Sequence, residues 1–171
     1  MSNNIAQSVL PEFDNEMANT RKVLERLTDA IGTWKPHPKS FSAGDLGLHV
    51  ANLAGWATTT MTQTELDMNP PDGPAWKMPV YESAQRTLTV FDENVVGARA
   101  ALAAASDADF AVMWTLKNGG QSIFSMPRVA VLRIFTMNHI IHHRAQLTVY
   151  LRMNNIPVPS IYGPSADEGS M

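Results

Sequence analysis

Four long stretches of the chain have the spacing of amphipathic helices, and this pattern restricts the fold more than any other feature. In the first stretch, apolar residues recur at three- and four-residue intervals, which places them on one helix face. These residues are Leu10, Phe13, Met17, Val23, Leu24, Leu27 and Ile31. They predict a first helix from about Asn4 to Ile31. Pro11 would either bend this helix or mark its true start, and Gly32 and Pro36 follow its end.

The second helix has a capping pattern at its start and helix breakers after its end. Ser42 can accept hydrogen bonds from the free backbone N–H groups, and Asp45 can reach back to complete a capping box. The helix is predicted to run to about Leu66. Residues 69–74 contain three prolines and a glycine, so they are predicted to form a loop.

The second half of the chain predicts two more helices with a different element between them. The third helix covers about residues 83–105 and the fourth about residues 127–153. Between them, residues 112–124 flank an Asn-Gly pair at Asn118, which favours a small β-hairpin or an extended connection.

Helices of about 20–28 residues are about 30–42 Å long, which are the dimensions of a four-helix bundle. We therefore predict an all-α four-helix bundle that forms a single domain over residues 1–171, with residues 156–171 as an extended C-terminal tail. The long connections, about residues 66–83 and 105–127, leave room for helices that do not simply alternate up and down.

The composition excludes several classes of function. The chain has 171 residues, a net charge of −3 and no cysteine, so imidazole, carboxylate or water must hold any metal. It has no lysine- or arginine-rich run and no apolar stretch near the roughly 20 residues of a membrane span. Residues 1–5 lack the pattern of a signal peptide. We expect a cytoplasmic protein that binds neither nucleic acid nor membranes.

Three of the five histidines lie in a stretch of five residues, 139–143, within the fourth helix. Measured from His139, His143 lies about 40° around the helix, and Gln146 and Tyr150 about 20°. These side chains form a polar stripe on a helix that is otherwise rich in aliphatic residues. An unpaired buried polar group costs about 1–3 kcal/mol, so the stripe must find partners. Because His139 and His143 lie one turn apart on the same helix face, they can bind a single divalent metal ion.

A third ligand must come from another helix, and His49 is the candidate that the sequence offers. It lies on the apolar side of the second helix, among leucines. Three neutral imidazoles suit Zn²⁺, Ni²⁺ or Fe²⁺ and leave a coordination position for water. Asn52 and Trp56 flank His49 along the helix, and we predict that they and Gln146 line the pocket beside the metal.

The same residues also have plainer interpretations. A His-x-x-x-His pair on a helix is more often a surface pair or a pair of hydrogen-bonded core histidines, and Trp56 is more often plain core. His142 would point into solvent, support a ligand through a hydrogen bond, or compete as a ligand. His37, between two prolines, is typical of a loop.

The far side of the fourth helix also carries apolar residues. Met137, Ile141, Thr148 and Leu151 lie about 120–200° from His139 and share that side with Arg133, Arg144 and Arg152. A helix that is apolar nearly all round is usually buried all round. In a four-helix protein, another subunit would have to cover the outer side. We therefore predict a homodimer with the fourth helix near its axis.

Three segments together resemble the DinB family of bacterial proteins: residues 48–56, 139–147 and 156–168. The His-x-x-x-His-Arg-x-Gln-Leu pattern with an upstream helical histidine is typical of this family, and the resemblance covers almost the whole chain. It implies an up-down-down-up four-helix bundle, often dimeric, and assigns the metal-binding positions to His49, His139 and His143. Some members of the family are transferases or isomerases that use a low-molecular-weight thiol.

Three hypotheses follow for the function. The first is a metal-dependent enzyme that acts on a small molecule, either a thiol-dependent transferase or isomerase or a hydrolase. The second is a non-catalytic metal-binding dimeric bundle, and the third is a metal-free interaction module. Water at an accessible fourth position would favour catalysis, whereas a protein side chain there would favour a structural role.

Overall fold

The computed structural model describes residues 4–169; residues 1–3, 170 and 171 of the predicted domain lie outside this range. Most of the described chain is helical. The helices are α1 (Ile5–Leu24), a 3₁₀ turn (Asp29–Ile31), α2 (Ala43–Thr62), α3 (Ala84–Ala104), α4 (Asp107–Ala111), α5 (Arg128–Val131), a π-helical segment (Leu132–Met137) and α6 (Asn138–Met153). Since α5, the π segment and α6 follow without a break, we call them together the final rod.

The first helix begins where the sequence predicts and ends earlier. Asn4 and Gln7 form a capping box, which satisfies free N–H groups of the first turn. Pro11 lies inside α1, so it does not mark the start of the helix. The helix ends at Leu24, and the residues up to Ile31 form a turn and a separate 3₁₀ turn instead of a continued helix.

The second helix begins at the predicted cap and also ends early. The backbone N–H of Asp45 donates to Ser42 Oγ at 3.1 Å, and the Ser42 hydroxyl donates to the Asp45 carboxylate at 2.7 Å. The helix stops at Thr62, not at Leu66, because the chain turns into a β-strand there.

A small three-stranded sheet makes the all-α prediction wrong in part. Its strands are β1 (Glu65–Asp67), β2 (Met113–Asn118) and β3 (Gln121–Pro127), with β2 in the centre. β2 and β3 form the predicted hairpin, in which Gly119 and Gly120 both have positive φ, as a two-residue turn of this kind requires. β1 pairs with β2 in parallel.

Side-chain pairs show that α1 and α3 are neighbours that run in opposite directions. Arg21 binds Asp92 near one end of the pair, and Asp14 binds Arg99 near the other. The two helices are therefore antiparallel.

The second helix lies between α3 and the final rod. Gly47 lies against Thr87 and Gly55 against Asn94, so α2 and α3 run in the same direction. Trp56 contacts Phe135 and His49 contacts His143, so α2 and the final rod run in opposite directions. From α1 onward, the four long helices run up, down, down, up.

The C-terminal segment after α6 lies against the bundle. Residues 156–169 form neither helix nor strand, and Ile156, Val158 and Ile161 pack against the core. Tyr162 donates a hydrogen bond to the buried carboxylate of Glu16 at 2.7 Å, and Arg144 forms an ion pair with the same carboxylate at 2.8 Å.

The outer face of the final rod differs from the one that the sequence indicates. Met137, Leu151 and Arg144 are buried within the same chain, because the rod packs against α1 as well as α2. The exposed apolar residues of the rod are Ile134, Val149 and Met153. Of the helices within residues 4–169, none has the length and hydropathy to cross a membrane.

Candidate metal centre

Three histidines from two helices converge at one point. His49 comes from α2, and His139 and His143 come from consecutive turns of α6. One ring nitrogen of each can be chosen so that all three lie within 4.8 Å of one another. The ring centroid of His143 lies 4.7 Å from that of His49 and 4.7 Å from that of His139. The centroids of His49 and His139 are 5.2 Å apart. We call these residues the histidine triad.

The π-helical segment sets the register of the triad. It ends at Met137, two residues before His139, and Phe135 within it packs against Trp56 of α2 at 5.0 Å. A π turn accommodates about one residue more than an α turn, so it rotates the faces that follow it relative to those that precede it. No feature of the sequence predicted this segment.

Burial keeps the triad neutral at physiological pH. Loss of hydration, together with the nearby His143 and His139 rings, lowers the pKa of His49 to about 4. Burial is also the main cause that lowers the pKa values of His139 and His143. A neutral imidazole is the form that binds a metal ion. Near pH 7, no proton therefore has to leave these rings before a metal binds.

Gln146 lies beside the triad and orients one of its members. Its Oε1 is 2.7 Å from His143 Nδ1, and its Nε2 is 3.1 Å from His142 Nε2. If Oε1 accepts a hydrogen bond from Nδ1–H, the Nε2 atom of His143 is left free as a ligand. Gln146 is exposed and does not line the cleft described below, contrary to its predicted position. His142 is exposed too, and its hydrogen-bond contact is with Gln146, so the three interpretations of its role stay predictions.

Aromatic side chains surround the triad. Phe41, from the loop before α2, stacks on His49 with ring centroids 5.6 Å apart and meets His143 edge-on at 6.4 Å. Phe135 lies 5.7 Å from His139. Sequence reasoning missed Phe41, because a single aromatic residue in a loop follows no periodic pattern.

A cleft opens on the α2 side of the triad. Its lining residues are Leu48, His49, Asn52, Leu53, Trp56, Trp76, Met78 and Pro79, and its volume, counted out to the open mouth, is about 290 Å³. The structure thus brings the predicted residues Asn52 and Trp56 together with His49. The Asn52 amide donates to the Leu48 carbonyl at 2.8 Å, which holds the side chain against the helix.

The donor set of the triad fits a divalent metal ion. Three imidazole nitrogens at this spacing resemble the three-histidine ligand set that catalytic zinc sites use, and the same donors accept nickel or iron. Within residues 4–169, no further histidine or carboxylate joins the group. A metal ion held by these three residues would have a fourth position left for water or a small molecule.

Comparison with known proteins agrees with the resemblance to the DinB family. The sequence profile of the DinB superfamily matches residues 12–147. The chain is 29% identical over 161 residues to the YrdA protein of Bacillus subtilis (strain 168), covering 93% of this chain and 89% of that protein.

Two crystal structures of DinB-like proteins share the fold. One, from Bacillus cereus, superposes with a TM-score of 0.70 at 22% identity and covers 95% of this chain and 100% of its own. The other, YjoA from Bacillus subtilis, has a TM-score of 0.68 at 17% identity and covers 91% and 99%. At these identities the likeness shows the fold alone.

Proposed function

This chain belongs to the DinB superfamily, and we propose that it binds one divalent metal ion through His49, His139 and His143. The observation that carries this proposal is the convergence of three ring nitrogens from two helices within 4.8 Å. Buried polar groups are normally paired within the protein. Three half-buried neutral imidazoles that face one another instead share a need for a cation.

We further propose that the protein is a metal-dependent enzyme that acts on a small molecule. A bound Zn²⁺, Ni²⁺ or Fe²⁺ ion would supply Lewis acidity, which makes a thiol or a water molecule a better nucleophile near neutral pH. His49 forms part of the cleft wall, so the cleft gives a small molecule access to the triad. Because the chain has no cysteine, a thiol would have to arrive as a substrate, in a thiol-dependent transferase or isomerase. Water would serve in a hydrolase.

Elemental analysis of the purified protein tests the metal proposal directly. We expect about one equivalent of a divalent metal per chain, and loss of that metal in the variants His49→Ala, His139→Ala and His143→Ala. His37→Ala is the matched control, because His37 is exposed in a loop away from the triad. A wild-type protein that takes up no Zn²⁺, Ni²⁺ or Fe²⁺ on titration would contradict the proposal.

Activity measurements separate the enzyme from a non-catalytic metal-binding bundle. The metal-loaded protein is assayed with low-molecular-weight thiols and electrophilic acceptors, and with ester and amide substrates. Turnover that disappears in His139→Ala supports the enzyme. Full metal loading that raises the melting temperature, with no turnover in any assay, supports the non-catalytic bundle instead.

We also propose a homodimer in which the exposed apolar residues of the final rod, Ile134, Val149 and Met153, form the contact. Covering such a face removes apolar surface from water. Sedimentation at micromolar concentration should show a dimer, and Val149→Lys should give a monomer. Val96→Lys, at an exposed apolar position of α3, is the control that should leave the dimer intact. A wild-type monomer would refute this part of the proposal.

A further inference from the structure

The walls of the cleft beside the triad are almost entirely apolar, and metal binding by the triad does not account for them. Beyond His49, the lining residues are three aliphatic side chains, one proline, two tryptophans and the amide of Asn52. His49 belongs both to the triad and to the cleft wall. A molecule in the cleft would therefore contact the triad directly.

Two tryptophans from separate segments give the cleft its shape. Trp56 projects from α2 and is held by Phe135 of the final rod at 5.0 Å. Trp76 comes from the long connection between α2 and α3, where its backbone N–H donates to the Met68 carbonyl at 2.7 Å. Trp76 is 46% exposed and Met78 is 37% exposed. Large apolar side chains that stay exposed around a cleft are typical of a binding site.

The charges around the cleft indicate which molecules it can accept. None of its lining residues is charged, and Lys77, although it lies between Trp76 and Met78, is not part of the lining. In the metal-free protein, an anionic or cationic group that entered would lose hydration without gaining a partner of opposite charge. Besides His49 and the indole N–H groups of the two tryptophans, the polar lining group is the amide of Asn52, whose Oδ1 atom can accept a hydrogen bond from a neutral donor.

We propose that the cleft binds an uncharged aromatic group of the substrate, with the reacting end of that molecule directed towards the triad. The aromatic ring lies against Trp56 and Trp76, where offset or edge-on ring contacts add to apolar burial. The cavity volume within the cleft is only about 20 Å³, about the room that one water molecule needs, so the aromatic ring lies at the mouth of the cleft, against the exposed part of Trp76. This inference depends on the proposed function only for the reaction at the triad, because the cleft walls exist without a metal.

A pair of probes that differ in charge tests the inference on the full-length protein. Titration calorimetry is run with 2-naphthol and with naphthalene-2-sulfonate, which carry the same two rings, on protein treated with a chelator and on zinc-loaded protein. In the chelator-treated protein, we expect 2-naphthol to bind at least about ten-fold more tightly than the sulfonate, and in the zinc-loaded protein we expect 2-naphthol still to bind. Equal affinity of the metal-free protein for the two probes, or tighter binding of the sulfonate, would overturn the inference.

Matched variants locate the binding site. Trp76→Ala removes one aromatic wall and should weaken 2-naphthol binding about ten-fold. Val80→Ala lies in the same connection at an exposed position outside the cleft, so it should bind 2-naphthol as the wild type does. Trp76 does not belong to the triad, so the zinc content of Trp76→Ala should equal that of the wild type. Wild-type affinity for 2-naphthol in Trp76→Ala would show that the probe binds elsewhere.

The two proposals fail in different ways. If no metal binds but 2-naphthol binds selectively and depends on Trp76, the metal proposal fails and the cleft inference stands. If zinc binds through the triad but 2-naphthol shows no preference over the sulfonate, the cleft inference fails and the metal proposal stands.

Discussion

His143 and Arg144 are adjacent in sequence, yet they belong to two polar regions of opposite character. His143 faces α2 and belongs to the triad, whose members are half-buried and neutral. Arg144 faces α1, where it is 2% exposed and pairs with Glu16, which is 6% exposed. One region concentrates neutral donors beside an open cleft, and the other encloses a charged pair.

The Arg144 region satisfies its own polar groups. The guanidinium group bonds the Glu16 carboxylate, the Glu16 carbonyl at 3.1 Å and the Thr20 hydroxyl at 3.2 Å. The Tyr162 hydroxyl, from the C-terminal segment, completes the cluster by donating to the carboxylate. Burial and the hydrogen bond to Glu16 raise the pKa of Tyr162. Each strong donor has an acceptor within the chain.

The Arg144 region and the triad are therefore expected to have different roles, one in folding and one in binding. A buried polar cluster that is complete within the chain fixes how helices and tail pack, whereas one in which a ring nitrogen of each member faces the other members leaves room for an external partner. We therefore expect changes at Arg144 to act mainly on folding stability, and changes at the triad to act mainly on metal binding.

The largest expected effect is on stability, in Arg144→Ala. This change leaves the Glu16 carboxylate buried without its partner, and removing one member of a buried pair typically costs about 3–5 kcal/mol. Urea unfolding of the metal-free protein measures the loss. Arg99→Ala, which removes the exposed pair with Asp14, is the control and should cost about 0.2–1 kcal/mol. Similar losses in the two variants would remove the distinction between the clusters.

The next effect is on metal affinity, in His139→Ala. Loss of a ligand should weaken zinc binding by more than about 100-fold, the upper end of what loss of a supporting hydrogen bond costs. The unfolding free energy of the metal-free protein should change far less than in Arg144→Ala. Competition with a chromogenic chelator measures the affinity. His142→Ala should retain most of it, and a loss equal to that in His139→Ala would identify His142 as a ligand.

A smaller effect is expected at the residue that orients His143. Gln146→Leu removes the acceptor at His143 Nδ1, so zinc affinity should fall about 10–100-fold. Gln146→Glu keeps an acceptor at that position and should restore affinity. Because Gln146 is exposed, neither change should alter the unfolding free energy of the metal-free protein greatly. Wild-type affinity in Gln146→Leu would show that the contact does not orient the ligand.

A further expected effect is on the pH dependence of stability. The pKa of His49 is about 4 in the folded protein and about 6.5 in the unfolded chain. Between these values the unfolded chain binds more protons, so stability is full above pH 6.5 and falls as the pH decreases towards 4. In the metal-free protein, His49→Ala should flatten this slope. Identical slopes in wild type and His49→Ala would contradict the shift.

Local sequence patterns predicted the elements that local interactions form. The caps at Ser42 and Ser83 start α2 and α3 where the sequence indicates, because a side-chain oxygen reaches N–H groups only three residues away. The hairpin was equally predictable, although the sequence indicated a turn at Asn118 and Gly119 and the structure places it at Gly119 and Gly120. The resemblance to the DinB family, read from three segments, is confirmed by the profile match.

Elements that depend on distant partners were not predictable in the same way. β1 forms because Glu65 and its neighbours pair with the strand around Thr115, fifty residues later in the chain. After Leu24, the residues up to Ile31 leave the helix for a turn and a 3₁₀ turn, which have local hydrogen bonds. The hydrophobic spacing continues in both places, but it does not show where the backbone leaves the helix.

The sequence alone determined that His139 and His143 share a helix face, since a spacing of four residues fixes this on any α-helix. Only the tertiary structure brought His49 to them, turned Arg144 towards Glu16, stacked Phe41 on His49 and placed Trp76 at the cleft. The physical reason is that helix periodicity fixes angles around one axis, whereas the packing of neighbouring helices and loops decides which of those directions meets another side chain and which meets solvent.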